Sequence, residues 1–336
     1  MTRVLPVLLL VALVHASAAQ EPAAVPKRVR FGIQTGQQDV TVDEIAAIWK
    51  EAEALGFDSA WLFDHFIPIR GNLDNPCLES WTLLGYLAGK TSTIRIGSLV
   101  NGNTYRNPAL VAKMATTMDQ ISNGRFELGM GAGWFEPEHH AYGFPFYDAK
   151  GRAERLGEAL AVITKLWTDD HPSFFGQFYT LEKAPFSPKN VQQPHPPIVV
   201  GGQGKKWIIP LVARYADAWN VPIGVSPEGI IKRREIIRAE CARIGRRPCD
   251  IEVQAFLVLY SITGVPLAGD AVRLAARVLE NKRVARSVLA GSPKDVIEQI
   301  RPYVEAGATH IIVNIQPPYD PELLRRFAME VIPAFR

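Results

Sequence analysis

From Arg30 onward, short apolar runs alternate with longer stretches of helical period. Residues 31–35 form a compact apolar run, which predicts a strand. In the stretch 42–55, Ile45, Ile48, Trp49, Ala52 and Leu55 fall on one stripe and Gly56 follows, which predicts a helix and its stop. The same reading predicts strands at 59–63, 94–100, 125–130, 197–200, 218–221, 251–260 and 309–313. Helices are predicted at 79–89, 108–121, 154–167, from beyond Gly204 to Tyr215, and at 227–244, 271–282, 294–305 and 321–331. Asn107 is the expected cap of the third helix, with Pro108 at its first position. Strands that are apolar throughout belong in a parallel sheet covered on both faces. Eight strand–helix units therefore predict an α/β fold, a single (β/α)8 TIM barrel over residues 30–336, rather than an open doubly wound sheet.

Two stretches break the rhythm. Residues 132–148, after strand four, are rich in glycine, proline and aromatics. Residues 169–197, before strand five, are rich in proline and contain a hairpin-like run at 174–179. Long insertions in a compact barrel usually serve as lids or binding loops.

The N-terminus differs in kind. Arg3 precedes an apolar run from Val4 to Val14, and Ala16-Ser17-Ala18 follows. That pattern is expected of a secretory leader at 1–18, cut after Ala18, and places the protein outside the cytoplasm. A mispredicted start would instead leave a cytoplasmic protein. The run is too short for a membrane span, and no other stretch is long enough for one.

Composition narrows the picture further. With 37 basic and 34 acidic residues the chain carries a net charge of +3, too balanced for a nucleic-acid partner. The three cysteines, Cys77, Cys241 and Cys249, have no metal-ligand spacing. Cys241 and Cys249 are near enough in sequence to pair, yet unpaired structural thiols are the expectation.

Barrel chemistry sits at the C-terminal ends of strands, which selects candidates directly. These are Asp64-His65-Phe66 after strand two and Asn101, Asn103 and Thr104 after strand three. Gly131, Gly133, Trp134 and Glu136 follow strand four, Gly201, Gly202 and Gly204 strand five, and Trp219 and Asn220 close strand six. His65 is the expected acid–base group, since an imidazole exchanges protons near neutral pH. Asp64 is expected to orient its loop, and Glu79 to be a first-turn carboxylate favoured by the helix dipole. Asp58, Arg155, Arg214 and Asp217 read as structural ion pairs or caps. Glycines ahead of helix five allow backbone N–H groups to approach a phosphate, with Gly202 against it and Lys205 and Lys206 adjacent. No metal cluster, carboxylate pair or nucleophile elbow is present in the pattern.

Several segments together resemble the luciferase-like monooxygenase superfamily. They are 52–66, ending in Asp64-His65-Phe66; Gly97-Ser98-Leu99-Val100 with Arg106-Asn107-Pro108; 119–134, from Asp119 through Gly133-Trp134; and Pro196 to Gly202. The resemblance runs in order over about 30–335 and implies a (β/α)8 barrel that binds coenzyme F420 or reduced flavin mononucleotide (FMN). The Asp-His-Phe form is similar to the coenzyme F420 branch. The resemblance further implies a non-prolyl cis peptide at Leu99-Val100 backing the ring, with Gly131, Gly133, Gly201, Gly202 and Gly204 along the cofactor. His65 would face the reacting carbon, Trp134 and Glu136 would meet a small-molecule substrate, and the chain would form a homodimer. Sugar-phosphate dehydrogenases of this branch carry a glutamate where this chain has Trp134, which argues against that substrate. The expected function is hydride transfer between the deazaflavin and a small organic substrate. The alternatives are an FMN-dependent monooxygenase and a cofactor-binding barrel without turnover.

Overall fold

The computed structural model describes residues 28–262, Val284 and 286–336. The leader at 1–18 and the helix expected at 271–282 lie outside the described residues. The first half of the barrel comprises β1 (Arg30–Thr35), α1 (Val42–Ala54), β2 (Ser59–Leu62), α2 (Ser80–Ala88), β3 (Arg95–Ser98), a short β4 (Asn101–Gly102), α3 (Pro108–Ile121) and β5 (Phe126–Gly131). Then come α4 (Glu136–Ala141), α5 (Ala149–Thr168), a hairpin of β6 (Phe174–Phe175) and β7 (Thr180–Leu181), β8 (Ile198–Gly201), α6 (Ile208–Tyr215) and β9 (Ala218–Val221). The chain continues through α7 (Pro227–Arg243), β10 (Glu252–Leu259), β11 (Val288–Leu289), α8 (Pro293–Glu305), β12 (His310–Ile315) and α9 (Pro321–Arg326).

Eight parallel strands close on themselves in the order β1, β2, β3, β5, β8, β9, β10, β12, with β12 returning to β1. The expected (β/α)8 barrel is therefore present. The helix stops and starts follow local chemistry. Thr41 and Glu44 form a capping box on α1, Asn107 caps α3 with Pro108 behind it, and Ser226 and Ser292 cap α7 and α8. Glu79 is not inside the first turn of α2; it is the cap itself, accepting from the N–H groups of Trp81 and Thr82. The last helix stops at Arg326, widens into a π turn at Phe327–Val331 and then tightens into a 3-10 turn at Ile332–Phe335.

Side chains alternate across each strand, so one set faces the helices and the other fills the barrel. The outward set forms the large core under α1, α3, α5 and α7. The inward set is layered. At the N-terminal end, Arg30 bridges Glu127 (3.0 Å) and Glu252 (3.0 Å), while Glu127 also accepts from Arg95. Buried His310 joins this layer through Glu252 (Nδ1 to Oε1, 3.1 Å) and Ser59 (Nε2 to Oγ, 2.8 Å). Above lies an apolar plug of Trp61, Leu99, Val199, Ala218 and Ile312. The mouth stands on that plug.

The cysteine expectation is corrected here. Cys241 in α7 and Cys249 before β10 are joined in a disulfide, with Cα atoms 5.9 Å apart. The helix turns back on itself within eight residues, which brings the two side chains together. Cys77 is unpaired, and burial pushes its thiol up to about 12.

Candidate active site

The loop after β2 carries Asp64 and His65 into the barrel mouth, and both are buried. Asp64 Oδ2 accepts from the N–H of Gly102 (2.9 Å) and from Arg106 Nη1 (2.8 Å). Arg106 also reaches Glu79 (2.8 Å), so one guanidinium ties the second loop to the third and to the cap of α2. Burial disfavours the Arg106 charge, but Asp64 and Glu79 outweigh it and raise its pKa. The expected role of Asp64 as a loop-orienting residue is met by these bonds.

His65 is oriented by a residue that sequence reasoning passed over. Its Nδ1 lies 2.9 Å from Oε2 of Glu138, the third residue of α4, which is fully buried. Glu138 also accepts from the Tyr105 hydroxyl and from the N–H groups of Phe66 and Ile67, the last at 3.2 Å. Burial raises its pKa, yet these donors prevail and hold it below the ordinary carboxylate range. Burial and the same carboxylate push the Tyr105 phenol up, so it remains a donor. An ionised carboxylate only accepts. His65 therefore donates through Nδ1 and leaves Nε2 for the mouth, where it has no protein partner among the described residues. The ring is packed edge-on by Phe63 (5.3 Å), Trp134 (5.7 Å) and Phe135 (5.7 Å).

The other expected site residues separate into two groups. Trp134 is at His65, and its ring is 62% exposed, free to cover a bound molecule. Glu136 is not at His65: it is exposed at the start of α4 and pairs with His140 at 3.3 Å. The acid that reaches the site is two residues further on, on the inner face of the helix. A readable signal was the spacing Phe135, Glu138, Tyr142, which puts an acid on an otherwise aromatic stripe. His139 is also inward, between Thr104 Oγ1 (2.7 Å) and the Phe135 carbonyl (2.8 Å), as a structural tie.

Across the mouth, the Leu99-Val100 peptide is cis, as the resemblance implies. Val100 nests against two of the expected glycines. A Cβ on Gly131 would lie 2.5 Å from Val100 Cγ2, and one on Gly201 would lie 2.8 Å from Val100 Cγ1. These glycines thus make room for the bulge. Gly133, at φ +79°, packs against Thr104.

Gly202 requires a revision. Its N–H is committed to the Asn220 carbonyl (3.2 Å), and its carbonyl accepts from Trp219 Nε1 (2.7 Å). Its φ of +136° and the nearby Ile208 suit glycine for backbone reasons. The backbone N–H groups of Gly204 and Lys205, ahead of α6, have no protein acceptor among the described residues. These free donors suit an anion, whereas the Gly202 N–H is already used. Arg233 braces the same loop through the Gln203 carbonyl (3.0 Å).

Several buried polar atoms of the mouth have no hydrogen-bond partner: Asp64 Oδ1, Asn101 Oδ1, Asn103 Oδ1 and Asn220 Nδ2. Buried groups of this kind normally find one. A flat heterocycle with ring N–H and C=O groups, lying on Val100, supplies donors and acceptors of the required kinds. The residues present therefore fit a deazaflavin or flavin ring. Among the described residues, no group of three or more His, Cys, Asp or Glu side chains is placed to hold a metal ion, and no helix is long and apolar enough to cross a membrane.

Comparison with known proteins accords with this geometry. The sequence profile of luciferase-like monooxygenases matches residues 24–262. An F420-dependent glucose-6-phosphate dehydrogenase of Intrasporangium calvum is 30% identical over 324 residues, covering 85% of this chain and 92% of that protein. An FMNH2-dependent dimethylsulfone monooxygenase of Pseudomonas putida is 33% identical over 180 residues, covering 54% of this chain and 48% of that protein. Among solved structures, the coenzyme F420 dependent tetrahydromethanopterin reductase of Methanopyrus kandleri superposes with a TM-score of 0.76 at 22% identity, over 92% of this chain and all of that one.

Proposed function

Because the chain belongs to the luciferase-like monooxygenase family, we propose that it is an oxidoreductase using coenzyme F420 to move a hydride to or from a small organic substrate. The observation that carries the reading is His65 at the barrel mouth, held by buried Glu138 with Nε2 left free. Long relatives named for coenzyme F420 support the choice of cofactor.

When bound, the deazaflavin accepts or supplies the hydride at its C5. The chain's own residues do the rest. Val100 would back the ring, the unpaired Asn and Asp atoms would offer hydrogen bonds to its polar edge, and the free N–H groups of the Gly204–Lys205 turn would suit its phosphate. For an alcohol substrate, His65 Nε2 takes the hydroxyl proton as the carbon loses hydride, and returns it in the reverse direction. Glu138 fixes the tautomer and stabilises the resulting imidazolium. Trp134 and Phe135 limit water at the reacting atoms.

The shorter match to an FMNH2-dependent monooxygenase keeps one second reading in view: reduced flavin with oxygen. Fluorescence titration of the full chain with both cofactors, at two salt concentrations, separates them. Coenzyme F420 is expected to bind more tightly, and its affinity should fall with salt if Lys205 and Lys206 meet its anionic tail. Tighter FMN binding at both salts would replace this proposal with the monooxygenase.

The reading extends to location and assembly. The leader pattern at 1–18 and the Cys241–Cys249 disulfide both favour an oxidising compartment, and so export. A homodimer is expected from the family resemblance; light scattering on the purified chain measures it. Fractionation that finds the protein in the cytoplasm with an intact N-terminus would refute the export reading.

A further inference from the structure

A small cavity, lined by Phe63 but not by His65, opens beside the mouth. It measures about 70 Å³ and lies between the C-terminal ends of β1, β2, β10 and β12. Phe63 and Phe256 supply apolar walls, and Arg70 lies on its rim. The volume suits one small polyatomic group rather than a whole substrate, being about two waters' share of the liquid.

The cavity's charged lining is of one sign, although Gln316 also presents Oε1 as an acceptor. Arg70 is solvent-exposed at the rim and has no acid partner among the described residues, while the protein packed around it lowers its pKa. Its loop is clamped: Gln38 donates to the Arg70 carbonyl (3.1 Å) and accepts from the Ile69 N–H (3.1 Å). Beside it, Gln37 grips both backbone groups of Phe63. Two adjacent glutamines thus hold the segment that carries Phe63 and Arg70.

The amide chain behind the cavity has a determined direction. Asn314 Nδ2 reaches the Gln34 backbone carbonyl (3.5 Å), which only accepts. The same nitrogen donates to the Gln34 side chain, which must therefore present Oε1. Gln316 in turn donates to Asn314 Oδ1. Gln34 Nε2 is left over as a donor with no protein partner among the described residues, although its residue is buried. A free guanidinium and a free amide N–H, with apolar walls, call for an acceptor carrying negative charge.

We propose that this cavity is the substrate's anion pocket: Arg70 and Gln34 bind a carboxylate or sulfonate, and Phe63 spaces that group from the carbon that reacts at His65. The inference deepens the oxidoreductase reading and rests on it for the word substrate. It predicts oxyanion-bearing alcohols or carbonyl compounds as substrates, in preference to neutral analogues of the same shape.

The test uses fragments, without turnover. Benzoate, benzenesulfonate and neutral benzamide are titrated into the full-length protein and its Arg70→Gln and Gln34→Glu variants, followed by ligand-observed NMR and thermal shift. Saturable binding of the two anions, at least about 10-fold tighter than benzamide and lost in both variants, is expected from charge-assisted bonds. Binding of benzamide as tight as benzoate would overturn the proposal. So would unchanged benzoate binding in a folded Arg70→Gln protein. Coenzyme F420 is titrated into the same three proteins. Equal affinity in all is expected, and no binding in any would refute the cofactor reading while leaving the fragment result to decide the anion pocket.

Discussion

The two ends of this barrel hold nearly the same kinds of residue and use them oppositely. At the N-terminal end, His310, Glu252, Arg30, Glu127 and Arg95 form a chain in which each charge has an opposite partner. At the C-terminal end, His65, Glu138, Arg106 and Asp64 form an equally buried set. There, however, His65 Nε2, Asp64 Oδ1 and three asparagine atoms are left without protein partners among the described residues. A histidine beside a glutamate is therefore no mark of chemistry. What distinguishes the mouth is its histidine. Both ring nitrogens of His310 are bonded, whereas His65 keeps Nε2 without a protein partner among the described residues. Among those residues the lower layer leaves one buried atom, Gln254 Oε1, unpaired.

The sharpest way to break this contrast is to remove each histidine. His65→Ala is expected to lower kcat by about 100- to 10,000-fold, the usual range for a general acid–base group. Cofactor affinity should stay within a few-fold and the melting temperature should hold. His310→Ala is expected to do the reverse, costing stability with little effect on kcat in the folded fraction. Equal kinetic damage from both would erase the distinction.

The next effect is on stability. Burial opposes ionisation of Glu252, but His310 and Arg30 overcome it and hold the carboxyl far below its ordinary range. Its folded pKa is depressed, so its contribution is present above the unfolded value and is lost as pH falls toward the folded one. Glu252→Gln leaves Arg30 and His310 short of a partner, and should cost about 3 kcal/mol at neutral pH. Urea unfolding at pH 7 and again below about pH 4 should show the gap between the two proteins narrowing in acid. A gap that widens there would contradict the assignment.

Glu138→Gln sharpens the contrast at the mouth. The carboxamide presents both a donor and an acceptor, so the Nδ1-protonated tautomer of His65 is no longer enforced. A drop in kcat of about 10- to 100-fold is expected, within the range for a disturbed acid–base group. The imidazole nitrogen shifts of His65 should change with it. Lost activity with unchanged nitrogen shifts would make Glu138 merely structural.

The smallest effect concerns the turn before α6. A Cβ on Gly204 meets Ile208 only at ordinary contact, 3.4 Å, whereas Gly202 at φ +136° accepts no side chain without strain. Gly204→Ala is thus the cleaner probe, and should weaken coenzyme F420 about 3-fold by keeping the phosphate from the backbone. Unchanged affinity would remove this turn from the cofactor site.

Much of this was legible in the chain. Period and capping residues located the barrel's units, because buried parallel strands leave continuous apolar runs and helix ends need polar caps. His65 was legible because strand order alone puts it at the mouth. Glu138 was not, since its importance comes from folding α4 back over the second loop, a contact across more than 70 residues. Glu136, nearer the glycines in sequence, lies at the exposed start of α4 instead. The Gly202 N–H was not legible for a similar reason: glycine before a helix suits a phosphate and a sheet-end bend equally, and its bond to the Asn220 carbonyl is made only in the fold. The disulfide likewise depends on how α7 turns into β10.

The nest around Val100 has a consequence for how this sequence can drift. Gly131 and Gly201 lie on neighbouring strands, and each excludes a methyl group only because Val100 occupies that space. Alanine at either position is incompatible with valine at 100 but compatible with a smaller residue there. The three positions are therefore epistatic: the order in which substitutions arrive decides which survive. Gly129 stands outside this set, because its Cβ would strike the Ser98 carbonyl at 2.0 Å, and no change of side chain moves a backbone oxygen.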